Sequence, residues 1–105
     1  MLASSLFAAS AAIILLLGLA HLLFTFRGPK LHPRDAALHA SMKEVSPVLT
    51  RETTMWKAWV GFNASHSGGA ILFGLVWGYL ALAQATLLFQ SAFLLGLGLV
   101  FLVCY

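Results

Sequence analysis

Every formally charged residue of this 105-residue chain lies between Arg27 and Lys57: six Lys or Arg and three Asp or Glu, with none on either side. A charge at the centre of a bilayer costs at least roughly 2.5–3.5 kcal/mol, so long charge-free apolar runs flanking one compact charged connection read as spans joined at a membrane surface. The composition agrees. At 61% hydrophobic and 9% charged, the chain is far from the soluble norm of about 25% charged, and its length allows one domain. The net charge of +3 resides beside hydrophobic runs, which points to anionic lipid headgroups and away from nucleic acid.

The pattern predicts an all-α fold: an integral membrane helical bundle with three transmembrane helices and one amphipathic cytoplasmic connection. Residues 1–105 form a single membrane domain with spans at about 4–26, 56–83 and 87–105 and a charged loop at 27–55. The first span closes at Arg27-Gly28-Pro29-Lys30, where charge, flexibility and a helix breaker come in succession. It is not read as a signal peptide: the start Met1-Leu2-Ala3-Ser4-Ser5 lacks a basic region, the run Leu6 to Phe26 exceeds the usual apolar length, and no small-residue cleavage box follows. Between Pro33 and Ser46, Leu38, Met42 and Val45 recur at helical spacing and predict a short amphipathic helix. Ser46-Pro47 has the chemistry of a helix start, so the second helix is expected to begin there, with Trp56 and Trp59 at the interface. The turn at Gln84-Ala85-Thr86 leads into a third span. It reaches Tyr105 without a polar flank, and the expectation is that a further segment follows in the native protein. Six basic residues against zero place the loop in the cytoplasm and the N-terminus outside, in a bacterial inner membrane.

Polar and small residues concentrate between Trp56 and Gly69. Asn63, His66 and Ser67 share one helical face at i, i+3 and i+4, while Gly61, Ser65 and Gly69 repeat every four residues and Gly74 and Gly78 form a second small-xxx-small pair. Both repeats permit close helix contact. The simplest account of Gly61, Asn63, Ser65, Ser67, Gly69, Gly74 and Gly78 is a hydrogen-bonded packing seam. His21, five residues before Phe26, and His66, seven after Trp59, lie at matching depth, about 7–11 Å inside one surface. They are the candidate cofactor-binding pair, able in principle to ligate a haem or the magnesium of a (bacterio)chlorophyll. Against this, Leu17 and Phe62, one turn before each histidine, are bulky where a macrocycle needs clearance. Hydrogen bonding of His66 with Asn63, Ser67 or His21 is the expected arrangement. No cofactor is required by the sequence.

His32 and His39, near Asp35 and Glu44, lack metal-ligand spacing and read as surface histidines; no metal site is expected. Cys104 is the single cysteine, which excludes an intrachain disulfide and a thiolate cluster. No nucleophile elbow, phosphate loop or dinucleotide fingerprint occurs. No catalytic residue is therefore assigned.

The run W-x-x-W-x-G-F-N-x-S-H-S, from Trp56 to Ser67, together with His21-Leu22-Leu23-Phe24-Thr25-Phe26, resembles an uncharacterised family of small bacterial multi-span membrane proteins. The resemblance implies four spans, one more than the chain contains, and carries over no catalytic residues. The leading expectation is a non-enzymatic accessory or stabilising subunit of a larger membrane complex, photosynthetic or respiratory, with lipid and other membrane-protein subunits as partners. The competing class is a tetrapyrrole-binding protein built on His21 and His66. A third class, a carrier of protons or small solutes, rests on the same histidines.

Overall fold

The computed structural model describes Met1 to Tyr105 and contains five helices and no strand: α1 (Leu2–Phe26), α2 (Ala36–Glu44), α3 (Met55–Ala83), α4 (Ala85–Gln90) and α5 (Ala92–Cys104). Two of them, α1 and α3, are long and apolar enough to cross a membrane. At 1.5 Å per residue they measure about 37 and 43 Å.

Local chemistry sets the boundaries. Helix α1 stops where Arg27 turns extended and Gly28 takes φ +74°, a conformation that suits glycine. Asp35 caps α2 by accepting from the Ala37 N–H at 2.9 Å, and Lys43 in the last turn complements the helix dipole. Leu38 and Met42 of that helix and Val45 just beyond it gather with Met55 around an apolar hollow of about 310 Å³. The expected helix start at Ser46-Pro47 does not occur. Residues 45–54 remain irregular, the Met55 N–H donates back to the Val45 carbonyl at 2.7 Å, and α3 begins only at Met55, where the Thr54 hydroxyl accepts from the Lys57 N–H. A cap that engages its own N3 amide outcompetes a serine with no such partner.

The single span expected over 87–105 is also divided. Ser91 is extended (φ −96°, ψ 107°) and its hydroxyl accepts from the Leu94 N–H at 3.1 Å, so it ends α4 and caps α5. Each piece is shorter than a 30 Å hydrocarbon core requires of one straight helix. Both are held against the long pair. Leu88 of α4 is fully buried, Phe89 meets Phe7 edge to face at 6.2 Å, Phe101 stacks on Phe73 at 4.4 Å, and Trp77 Nε1 donates to the Leu94 carbonyl at 3.1 Å.

The architecture rests on the antiparallel pair α1 and α3. Ser4 Oγ donates to the Ala81 carbonyl at 2.7 Å near one end, Ala11 faces Gly74 in the middle, Gly18 faces Ala70 further along, and His21 meets Asn63 near the other end. On α3 the buried line is Asn63, Ser67, Ala70, Gly74 and Ala81. On α1 it runs through Phe7, Ala11 and Gly18 to half-buried His21. Alternating steps of three and four residues keep each line on one helical face. The Gly61-Ser65-Gly69 repeat is offset from the α3 line by two residues, or about 200°. Accordingly Gly61 and Ser65 turn outward, Gly69 lies beside the Tyr105 hydroxyl, and a Cβ on Gly78 would make only ordinary contact with Ala11 at 3.7 Å. The close approach is at Gly74, where a Cβ would stand 2.5 Å from Leu15 Cβ and 2.9 Å from the Ala11 carbonyl oxygen.

This geometry separates two glycines that sequence pattern alone treats alike. Gly74→Ala must displace backbone and is expected to destabilise the helix pair by about 1–3 kcal/mol. Gly61→Ala meets nothing within 4 Å and is expected to be neutral or to stabilise by up to about 1 kcal/mol through helix propensity. Reversible unfolding of the detergent-solubilised protein by SDS measures both, and equal effects would contradict the seam.

Candidate functional site

The buried polar residues of α3 organise the site. Asn63 is 3% exposed and Ser67 is completely enclosed. Ser67 spends its proton on the Asn63 carbonyl at 2.7 Å, one turn back. Asn63 Nδ2 donates to the Trp59 carbonyl at 2.9 Å, which fixes the amide so that Oδ1 faces α1. There it stands 2.9 Å from Nε2 of His21. An amide oxygen only accepts, so Nε2 carries a proton, and in the neutral form of the ring Nδ1 is the lone-pair acceptor. The Thr25 hydroxyl donates to the His21 carbonyl at 2.8 Å and occupies the adjacent turn.

His66 is placed differently from the sequence expectation. Its ring makes no hydrogen bond with Asn63, Ser67 or His21 and is exposed at the side of α3. The reason is competition: Asn63 is taken by His21 and the Trp59 carbonyl, and Ser67 by backbone. Instead His66 lies parallel to Tyr105 at 4.4 Å between centroids and 4°, stacks on Phe62 at 5.8 Å, and presents an edge to His21 at 5.8 Å and 64°. The Tyr105 hydroxyl donates to the His66 carbonyl at 2.8 Å, pinning α5 to α3. Tyr105 reads in the sequence as the end of an apolar run, and no spacing pattern marks it as a neighbour of His66.

Between α1, α3 and Tyr105 lies a cavity of about 170 Å³, lined by Leu17, Gly18, His21, His66, Ser67 and Tyr105 together with Ile14 and Ala70. The two histidines expected to pair do meet here, yet the arrangement does not fit a tetrapyrrole. Nε2 of His21 is committed to Asn63, the rings meet edge to face, and the space matches one small aromatic ring rather than a macrocycle.

A second cluster joins the connection to α3. His32 and His39, expected as surface residues, have ring centroids 4.4 Å apart and both contact Trp56, at 5.0 and 4.4 Å. Trp59 Nε1 holds the same connection by donating to the Leu31 carbonyl at 2.9 Å. Nε2 of His39 is sealed without a partner. Burial is the largest cause lowering the His39 pKa below 6.5, followed by the positive charge of Lys43 and then by His32. No three His, Cys, Asp or Glu side chains gather as a metal site in the chain.

Comparison with protein families, with curated proteins and with solved structures gives no match for this chain. The site is therefore argued from its geometry.

Two outcomes follow from these clusters. A double-mutant cycle of His21→Phe and Asn63→Leu should give a coupling energy of about 0.5–1.5 kcal/mol, whereas His66→Leu paired with Asn63→Leu should give none. Coupling of Asn63 to His66 instead would contradict the hydrogen-bond assignment. For His39, the folded state resists the proton that the unfolded chain accepts near pH 6.5, so docking of α2 on α3 is fully stable above that pH and weakens as pH falls toward the lowered folded value. An NMR titration of His39 should show a midpoint below 6.5 that rises in Lys43→Gln; a midpoint at or above 6.5 in the wild type would contradict the burial argument.

Proposed function

We propose that this chain is a non-enzymatic integral-membrane subunit that packs into and stabilises a larger membrane complex of photosynthetic or respiratory type. The observation that carries the reading is the outer surface left once the α1–α3 seam has closed. Leu16, Leu19 and Leu23 on α1 and Leu72, Leu75 and Leu82 on α3 are all exposed, and only 12 of 105 residues are buried. Water does not tolerate a contiguous apolar surface of that extent; lipid and neighbouring helices do. Asn63 and Ser67, the buried polar side chains, and half-buried Trp77 are engaged in hydrogen bonds within the bundle, which suits a packing role.

In this reading α1 and α3 cross the bacterial inner membrane and α4 with α5 complete a third crossing, bent at Ser91, where the serine hydroxyl compensates one of the freed backbone groups. The six basic residues orient the bundle, with the 27–55 connection in the cytoplasm and the N-terminus outside.

Photo-crosslinking tests the proposal. A benzophenone amino acid at Leu72, in the native membrane, is expected to capture one discrete partner polypeptide that also accompanies the chain through gentle-detergent purification. Adducts with lipid alone, and a chain that purifies by itself, would overturn it. In the same membranes, Ala40→Cys in a Cys104→Ala background should react with impermeant thiol reagents only from the cytoplasmic side.

A further inference from the structure

We propose that the cavity between α1 and α3 binds the ring of a phenolic molecule, an apolar compound ending in an aryl hydroxyl whose proton is accepted by Nδ1 of His21. This goes beyond the packing role and does not depend on it.

The first support is the tautomer. Trp59 fixes Asn63, Asn63 fixes the proton on Nε2, and Nδ1 is left as a hydrogen-bond acceptor whose direction the protein has already set. Metal-binding histidines are oriented in the same manner, one ring nitrogen donating to an outer group while the other is left to meet the ligand, and the geometry here leaves Nδ1 available to an O–H donor. Nδ1 has no partner within the protein, yet it is not among the sealed polar atoms that lack one; it opens onto accessible space. His21 lines the cavity, and in the proposed binding mode Nδ1 meets the ligand at that opening.

Size and wall chemistry select the ligand class. The cavity holds about 170 Å³, and a void of about 150 Å³ is enough for benzene. Ile14, Leu17 and Ala70 supply an apolar wall, and the parallel His66–Tyr105 pair supplies flat aromatic surface. A metal ion is disfavoured because two imidazoles have no third ligand beside them. A carboxylate or phosphate would face a lone pair with no cation lining the cavity, since every Lys and Arg lies between Arg27 and Lys57 and none is among the lining residues. An O–H donor on a ring satisfies both the acceptor and the walls. Leu17, 61% exposed, stands at the border between cavity and outer surface, where substituents of the ring can leave toward apolar surroundings.

The test uses the full chain in lipid nanodiscs with 4-fluorophenol and 4-fluoroanisole, which differ in the O–H, and empty nanodiscs as reference. Fluorine NMR should show saturable binding of the phenol about three- to tenfold tighter than of the anisole, as loss of one well-placed hydrogen bond implies. The ¹⁵N resonance of His21 Nδ1 should move with the phenol only. Leu17→Trp, which fills the cavity from an exposed position, should abolish saturable binding while helix content is retained. Equal affinity for the two compounds, binding no greater than to empty nanodiscs, as expected if water alone occupies the site, or unchanged binding in Leu17→Trp would each overturn the proposal. The wild-type comparison stands even if the variant fails to fold.

Discussion

The structure depends on how closely two backbones approach. At Gly74 the α3 backbone lies against Leu15 and the Ala11 carbonyl so tightly that a methyl group has no room, and at Gly18 a Cβ would stand 2.9 Å from Ala70 Cβ. Where helices are surrounded by lipid, dispersion contacts and interhelical hydrogen bonds replace the hydrophobic effect as the source of association, and both fall off steeply with distance. The same approach brings Asn63 within 2.9 Å of His21 and Ser4 within 2.7 Å of the Ala81 carbonyl. Widening the seam by the breadth of one methyl would loosen the packing and both polar clasps together.

The polar side chains along the α1–α3 seam and under α5 find partners inside the bundle. Ser67 bonds backward to its own helix, Asn63 bridges Trp59 and His21, and Trp77 reaches the Leu94 carbonyl. These bonds bind α1 and α5 to α3 without any buried charge. Against that background, Nδ1 of His21 stands out as a group the chain orients and does not use. The His39 nitrogen is sealed and therefore different in kind: with no access it has no ligand to meet, and its burial acts on protonation alone.

Much of the architecture is legible in the sequence because charge and helix breakers mark it. The long helices Leu2–Phe26 and Met55–Ala83 overlie the segments expected as spans at 4–26 and 56–83; Arg27-Gly28-Pro29 marks the end of the first in the sequence, whereas the second helix, expected to start at Ser46-Pro47, starts after Thr54, a cap that sequence pattern does not single out. The division at Ser91 is harder to read, because one serine inside a uniformly apolar run differs little from a serine that bonds back to its own helix. The helix-contact face was obscured for a related reason. When every face is apolar, periodicity does not distinguish inside from outside, and the conspicuous Gly61-Ser65-Gly69 repeat draws the eye about 200° away from the line through Asn63, Ser67, Ala70 and Gly74. The matched depth of His21 and His66 follows from counting residues along two helices. The pairing of His21 with Asn63 instead requires knowing which way each helix is turned, and the positions of Tyr105 beside His66 and of His32 beside His39 and Trp56 require tertiary structure.

The central claim is that α1 and α3 pair in a bilayer through the Ala11–Gly74 and Gly18–Ala70 contacts, with His21 held by Asn63. Solid-state NMR of the isotope-labelled protein in lipid bilayers tests it most directly. The account predicts a through-space cross peak between Ala11 and Gly74 and a His21 ring protonated at Nε2, with that proton close to the Asn63 side chain. A bilayer spectrum without the Ala11–Gly74 contact, or with His21 protonated at Nδ1 alone, would contradict it.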